Sequence, residues 1–395
     1  MSARRRDGGT RAGPAPVLAA VAATALLGCG EARGPDPAWT AGDAWTVGEP
    51  TVTSAQGAGT DFFRVAGAAR LSDGRLVVAD EGSSEVRFFA PDGTHLLSVG
   101  GRGEGPGEFA LIQSMGPAGG DSVWVYDYGA ARITVLAPDG AIARTIPVTP
   151  PLPAGILVGR RSDGSFVLAQ MWGTGDPWAP VPEGLVRETA VVAAYDANGR
   201  LRDTLARVPG REVFQRLEDG RMTMGVVPFA RTASHALWGD DLVVGDQVDR
   251  VLEVLGPRGV AVRDVRWSGP PLDVTEEDVD RWGEGQVAAA PAVDRASVRA
   301  RLAVTPFPDR RPAYGRLLPD AGGCLWVAAY AEPGQAARRW DVLDGRGRRL
   351  GSLTLPPRFR LHQIGRNWLL GVARDDLDVE RVEVRPLRRP SPPGC

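Results

Sequence analysis

The sequence predicts an all-β protein, a six-bladed β-propeller, from three features. Glycine (51) and proline (33) make up about a fifth of the 395 residues, roughly twice the usual share, so tight turns are frequent. Apolar runs of four to six residues alternate with Asp-Gly or Gly/Ser turns, the strongest short hairpin signal because both turn positions favour positive φ. This strand-turn set recurs along the chain at a spacing that fits one four-stranded sheet per copy.

The first residues read as an address. Arg4, Arg5, Arg6 and Arg11 precede an apolar stretch, Val17 to Leu27, broken only by Thr24. The stretch is too short for a mature membrane helix and matches a signal-peptide core. It ends in Leu26-Leu27-Gly28-Cys29, which resembles a bacterial lipobox. That resemblance implies cleavage after residue 28, a lipid on Cys29 and an extracytoplasmic, membrane-anchored protein. Gly30 rather than Asp after the cysteine favours the outer membrane. A plain secretory signal is the alternative. Residues 29–42 are rich in Gly, Pro and Ala and read as a tether.

The repeats begin with Val65 to Gly100, where turns at Ser72-Asp73-Gly74 and Pro91-Asp92-Gly93 and a Gly-Ser turn separate four strands. A second copy holds Gly120-Asp-Ser-Val-Trp-Val-Tyr-Asp127 and Pro138-Asp139-Gly140. The third opens at Ser162-Asp163-Gly164 and ends at Asp196-Ala197-Asn198-Gly199. The fourth holds Asp241-Leu-Val-Val-Gly-Asp246, the fifth Cys324-Leu-Trp-Val327 and Asp344-Gly345, and the sixth Trp368-Leu-Leu-Gly-Val372. The sixth stops after three strands. The lone strand-like segment from Trp45 to Thr53 is expected to supply its fourth and close a ring, which removes exposed edges. The propeller then spans residues 43–390, with a disordered tail at 391–395. An open solenoid or a two-sheet sandwich is the alternative use of the same strands.

Gly100-Gly-Arg-Gly-Glu-Gly-Pro-Gly-Glu-Phe109, Gly120-Asp-Ser-Val-Trp-Val-Tyr-Asp127 and Arg132-Ile133 resemble an NHL-type repeat. The chain from about 43 to 388 is similar to six-bladed propeller lipoproteins of bacteria. The resemblance implies the fold and little about activity, because propellers host many unrelated functions.

Composition narrows the function. The formal net charge of −2 argues against a nucleic-acid binder. All 46 basic residues are Arg, which excludes a Schiff-base lysine or a P-loop lysine. There are three His: His95 falls on an outer strand, His235 and His362 on the inner strands of the fourth and sixth copies. A tri-histidine metal centre needs three inner ones, and Asn198 and Asn367 are not placed for a channel calcium site. No metal or cofactor is expected.

Three long intervals depart from the repeat: Met171 to Glu188, carrying Trp172 and Trp178; Val208 to Val227; and Ser268 to Ala313. The last contains Thr275-Glu276-Glu277-Asp278, a helix N-cap followed by acidic residues, so an insertion at about 268–313 between the fourth and fifth blades is expected to be partly helical. An aromatic followed closely by Arg recurs where inner strands begin, at Phe63-Arg64, Phe229-Ala230-Arg231, Tyr314-Gly315-Arg316 and Phe359-Arg360. Guanidinium groups recognise carboxylate or phosphate bidentately. Arg64, Arg231, Arg316 and Arg360, with Trp172 and Tyr314, are therefore the candidate ligand-binding residues. The competing reading pairs these arginines with Asp80, Asp127 and Asp246 at strand ends. The expected function is a lipid-anchored, non-catalytic binding module at the cell envelope, for an anionic small molecule or glycan or for an envelope protein with an acidic segment. The alternative is a propeller-type hydrolase or lyase with a carboxylate or divalent-metal site in the channel.

Overall fold

A computed structural model describes residues 45–54, 61–173, 183–218, 221–225, 227–331 and 338–389. The expected leader and tether, Cys29, Trp178 and the 391–395 tail lie outside the described residues.

Among the described residues, five sheets have four strands, one has five and one has three. The first sheet is Val65–Arg70, Leu76–Asp80, Glu85–Phe89 and His95–Gly100, each strand antiparallel to the next. The second runs from Ile112–Gly119 to Ile142–Pro147, and the third from Gly155–Arg160 to Leu201–Pro209. The fourth runs from Ser234–Trp238 to Ala261–Arg266, and the fifth from Leu317–Pro319 to Arg349–Thr354. The sixth consists of Phe359–Ile364, Trp368–Arg374 and Glu380–Arg388, and it is completed from the other end of the chain. Thr46–Val47 and Val52–Thr53 both pair with Glu380–Arg388, in the registers Val47↔Leu387 and Val52↔Val384.

Side-chain chemistry explains the stacking. Every residue of Leu76–Asp80 is buried, whereas the last strand of the same sheet alternates between half-buried and exposed. A strand covered on both faces reads as a continuous apolar run, and one covered on a single face alternates. Each buried apolar cluster is accordingly shared by two successive sheets. Val77, Phe88, Ile112 and Val125 join the first to the second. Phe62, Val78, Leu370 and Val384 join the sixth back to the first. The first strands touch in the same order, Val65–Arg70 with Ile112–Gly119 and onward to Phe359–Ile364, which contacts Val65–Arg70 again. The circuit is closed.

Two features stand outside it. Gly184–Val186, Val213–Glu218 and Arg221–Gly225 form the three-stranded sheet. The repeat pattern did not anticipate this sheet, although Asp219-Gly220 in the sequence is the hairpin signal used elsewhere. Between Ala261–Arg266 and Leu317–Pro319 lie helices α1 (Glu276–Ala289) and α2 (Arg295–Leu302). Thr275 caps α1 through a reciprocal capping box with Asp278, which satisfies two otherwise orphaned amide donors. Among the described residues no helix is long and apolar enough to cross a membrane.

Candidate functional site

The segments that lead into the first strands are fixed by polar side chains from the ends of the second strands. Asp80 Oδ1 accepts from the Phe63 amide at 3.0 Å. Asp127 accepts from the Ala110, Leu111 and Ala130 amides, and Gln247 Oε1 accepts from the Thr232 amide at 2.9 Å. Asp80 and Asp127 also face Arg87 and Arg132 of their own sheets, at 3.6 and 3.4 Å. These carboxylates therefore hold loops, as strand-end Asp residues do, and do not pair with the four candidate arginines.

The four arginines are not equivalent, because the aromatic-Arg pattern falls in different registers. Arg64 sits at φ 68° one residue ahead of its strand. Its side chain is 58% exposed, 3.2 Å from Glu81 and stacked on Phe63. Arg231 is bound bidentately by the buried Glu212, which also accepts the Arg231 amide. Burial pushes the Glu212 carboxyl up, but the Arg231 hydrogen bonds outweigh it and leave the pKa lowered. Arg360 lies inside its strand, donates to the Val65 carbonyl and stands 3.7 Å from Glu380, whose closer partner is Arg374 at 2.7 Å.

Arg316 differs from the others. Its Nη1 donates to the Leu361 carbonyl at 3.2 Å, and no carboxylate among the described residues pairs with it. Arg316 is exposed to solvent, with protein close around its guanidinium. That surrounding protein, and then the Arg360 charge, lower its pKa to about 10. Arg316 and Arg360 are therefore close enough to repel. Of the four candidates, the fold brings these two together and leaves Arg64 and Arg231 in separate ion pairs.

Arg316 lines a cavity of about 550 Å³ at the mouth of the ring, shared with Trp172, Arg211, His235 and Tyr330. Trp172 is 46% exposed. Arg211, which the sequence pattern did not single out, is exposed and has no ion pair or hydrogen bond among the described residues. His235 lies on the fourth sheet's first strand; its Nδ1 has no partner among the described residues, and burial lowers its pKa to about 4. His362 Nε2 is likewise unpartnered, and burial, then Arg360 and Arg316, hold that ring well below the usual histidine range. Gln113 Oε1 and Ser114 Oγ, on the second sheet's first strand, are also buried polar atoms without partners among the described residues. Such atoms cost about 1–3 kcal/mol each unless something bonds to them.

Tyr314 is not at this site. It is 1% exposed, its ring packs on Trp267 at 5.3 Å, and its hydroxyl accepts from the Gln247 amide. Its role is to seal the fourth sheet against the fifth. Cys324, at the head of the strand Leu325–Ala328, is buried and disulfide-bonded. Among the described residues no group of three or more His, Cys, Asp or Glu is placed to hold a metal ion.

No family model matches the sequence, and no curated protein sequence does. Solved structures do resemble it. A member of the DUF4221 family from Bacteroides vulgatus aligns with a TM-score of 0.51 at 11% identity, over 88% of this chain and 99% of that one. The fold is a β-propeller. Virginiamycin B lyase from Staphylococcus aureus gives 0.44 at 10% identity, over 87% of this chain and 99% of the other. A gluconolactonase from Xanthomonas campestris gives 0.41 at 12%, over 90% and 99%. At such identities the likeness concerns the propeller architecture alone, which carries no activity with it.

Proposed function

We propose that this protein is a six-bladed propeller that binds an anionic ligand at the mouth of its channel, without catalysing a reaction on it. In this reading the six larger sheets are the blades, and α1 and α2 belong to an insertion between the fourth and fifth. The observation that carries the function is the uncompensated Arg316, beside Arg360 and sharing a cavity with Arg211. A guanidinium with no counter-charge among the described residues is free to take one, and an anion supplies it through charge-assisted hydrogen bonds. Trp172 and Tyr330 add aromatic faces suited to an organic anion, such as an acidic glycan. The hydrolase or lyase alternative needs carboxylates in the channel, and none lines this cavity among the described residues.

The same proposal places the protein outside the cytoplasm, anchored by a lipid on Cys29. The Leu-Leu-Gly-Cys context supports the anchor, and the disulfide at Cys324 suits an oxidising compartment. The binding reading is tested by calorimetric titration of wild type and Arg316→Gln with phosphate, citrate and glucuronate. Binding to wild type that falls at least tenfold in the variant is expected. No heat with any of the three, or equal binding to both proteins, overturns it.

A further inference from the structure

The helical insertion is held to the ring at its base and open elsewhere. Asp278 of α1 pairs with Arg311. Arg310 pairs at 3.0 Å with Asp249, just ahead of Val251–Leu255 in the fourth sheet. Trp282 of α1 meets Phe307 edge-on at 5.7 Å. Yet α1 buries none of its 14 residues, and α2 buries only Val298. A helix pair in a globular protein usually buries an apolar stripe, so this hairpin leaves a surface uncovered.

Between the two helices lies an open cleft of about 770 Å³. Its floor is apolar and half-buried, formed by Val279, Val287, Leu302 and Phe307. Its walls carry opposite charges: Asp280 and Glu284 of α1 face it, and so do Arg295 and Arg299 of α2. All four are exposed. The ion pairs of this region join Arg281 to Glu277 and Asp278, Arg311 to Asp278 and Arg310 to Asp249; none of the four wall residues enters one among the described residues. Arg295 donates to the Ala290 carbonyl at 3.3 Å, which leaves its charge uncompensated. In each wall the two charges are four residues apart, about one helical turn, so each pair forms a row along its helix.

We infer that this hairpin is the contact between two copies of the chain. Across a twofold axis, the Asp280–Glu284 row of each copy lies on the Arg295–Arg299 row of the other, and the apolar floors meet. The occupant follows from the charges. A partner needs a basic row and an acidic row of matching spacing beside an apolar strip, and the hairpin itself carries both. Twofold symmetry makes each such contact occur twice. The apolar area drives association, and the charge rows select the partner and set the register. The inference is independent of the anion-binding reading, since no residue of that site takes part.

The experiment is sedimentation equilibrium on the full chain across roughly 1–100 µM, the range in which a weak dimer forms. Wild type should reach a dimer. Asp280→Arg with Glu284→Arg makes both rows basic, and Arg295→Glu with Arg299→Glu makes both acidic. Each double variant alone should dissociate roughly tenfold more readily or worse, because like charges then face each other. Mixed in equal amounts, the two should recover a dimer, since each row again meets its opposite. A monomeric wild type over the whole range overturns the inference. A dimer that survives either exchange overturns it too, because the contact then lies elsewhere. So does failure of the mixture to associate when both variants melt as wild type does. Should an exchange unfold the hairpin, Ala288→Arg, at an exposed helical position in the cleft, tests the same face by bulk and by repulsion of the partner's arginines. It should leave the chain monomeric, and an unchanged dimer would reject the hairpin as the contact.

Discussion

Arg316 Nη1 donates to the Leu361 carbonyl at 3.2 Å, across the seam between the fifth and sixth sheets. That backbone oxygen is the only hydrogen-bond partner of the guanidinium among the described residues. A neutral carbonyl orients the charge and does not cancel it. The guanidinium is thus oriented at the seam and open to pairing with an anion.

Arg316→Gln should hold or slightly raise stability in low salt, by less than about 1 kcal/mol, because it removes a solvent-screened repelling charge at little packing cost. Phosphate or citrate should stabilise wild type more than this variant. Arg231→Gln should do the opposite, losing about 3 kcal/mol, since it strands the buried Glu212 carboxylate. Arg64→Gln, at an exposed pair, should stay within about 1 kcal/mol of wild type. Denaturant melts of the three variants decide the matter: equal losses at all three would make the arginines purely structural.

The two channel histidines give a pH signature. An ordinary histidine titrates near 6.5, and the folded protein lowers His235 to about 4 and holds His362 well below its ordinary value. Below pH 6.5 the unfolded chain takes up protons that the folded chain refuses. Stability is thus unaffected by these groups above 6.5 and falls as pH drops toward 4, by about 1–3 kcal/mol for His235. Carboxylates titrate in the lower part of that window, so the comparison with His235→Gln isolates the effect. The variant should lose less stability than wild type between pH 6.5 and 4.5. Parallel curves would sink the assignment.

Ring closure makes a separate prediction. Trp45 is buried, meets Trp326 edge-on at 5.5 Å and carries Arg389 over its ring. It fastens the strand that pairs with Glu380–Arg388. Trp45→Ala should cost about 3–5 kcal/mol, and deleting residues 43–53 should cost more, because it also exposes the edge of Glu380–Arg388. A change in denaturation midpoint worth less than about 1 kcal/mol would mean that the ring holds without this strand.

These cases show why the fold was easier to read than the site. Doubly buried strands such as Leu76–Asp80 must be apolar up to a hydrogen-bonded end residue, and Asp-Gly turns must sit between strands, so both leave marks along the chain. The site depends on register. Arg64 and Arg360 look alike in sequence, yet one lies in a left-handed turn ahead of its strand and the other inside it. Glu212, the partner that removes Arg231 from the site, is 19 residues away in a segment with no repeat signal. Arg211 stands beside Glu212 in sequence and enters the cavity only because the segment after Leu201–Pro209 returns across the mouth. His235 and His362 were placed on inner strands by the repeat, but their missing partners are a property of the assembled channel.

Cys324 supplies the last prediction, which tests the anchor through the disulfide. The sequence has three cysteines. Cys324 is disulfide-bonded, and acylation of Cys29 would convert its sulfur to a thioether that cannot form a disulfide. If the lipid anchor is right, the remaining partner in this sequence is Cys395. Non-reducing peptide mapping should then link the peptide containing Cys324 to the C-terminal one. Cys29→Ser should lose incorporation of a labelled fatty acid and keep that link. Cys395→Ser should leave Cys324 reactive to a thiol reagent once the chain is unfolded, and should lower stability by about 2–4 kcal/mol. A Cys29–Cys324 link in the membrane-extracted protein would contradict acylation directly, because one sulfur cannot serve both bonds. The protein would then be held at the envelope by something other than a lipid, or released from it.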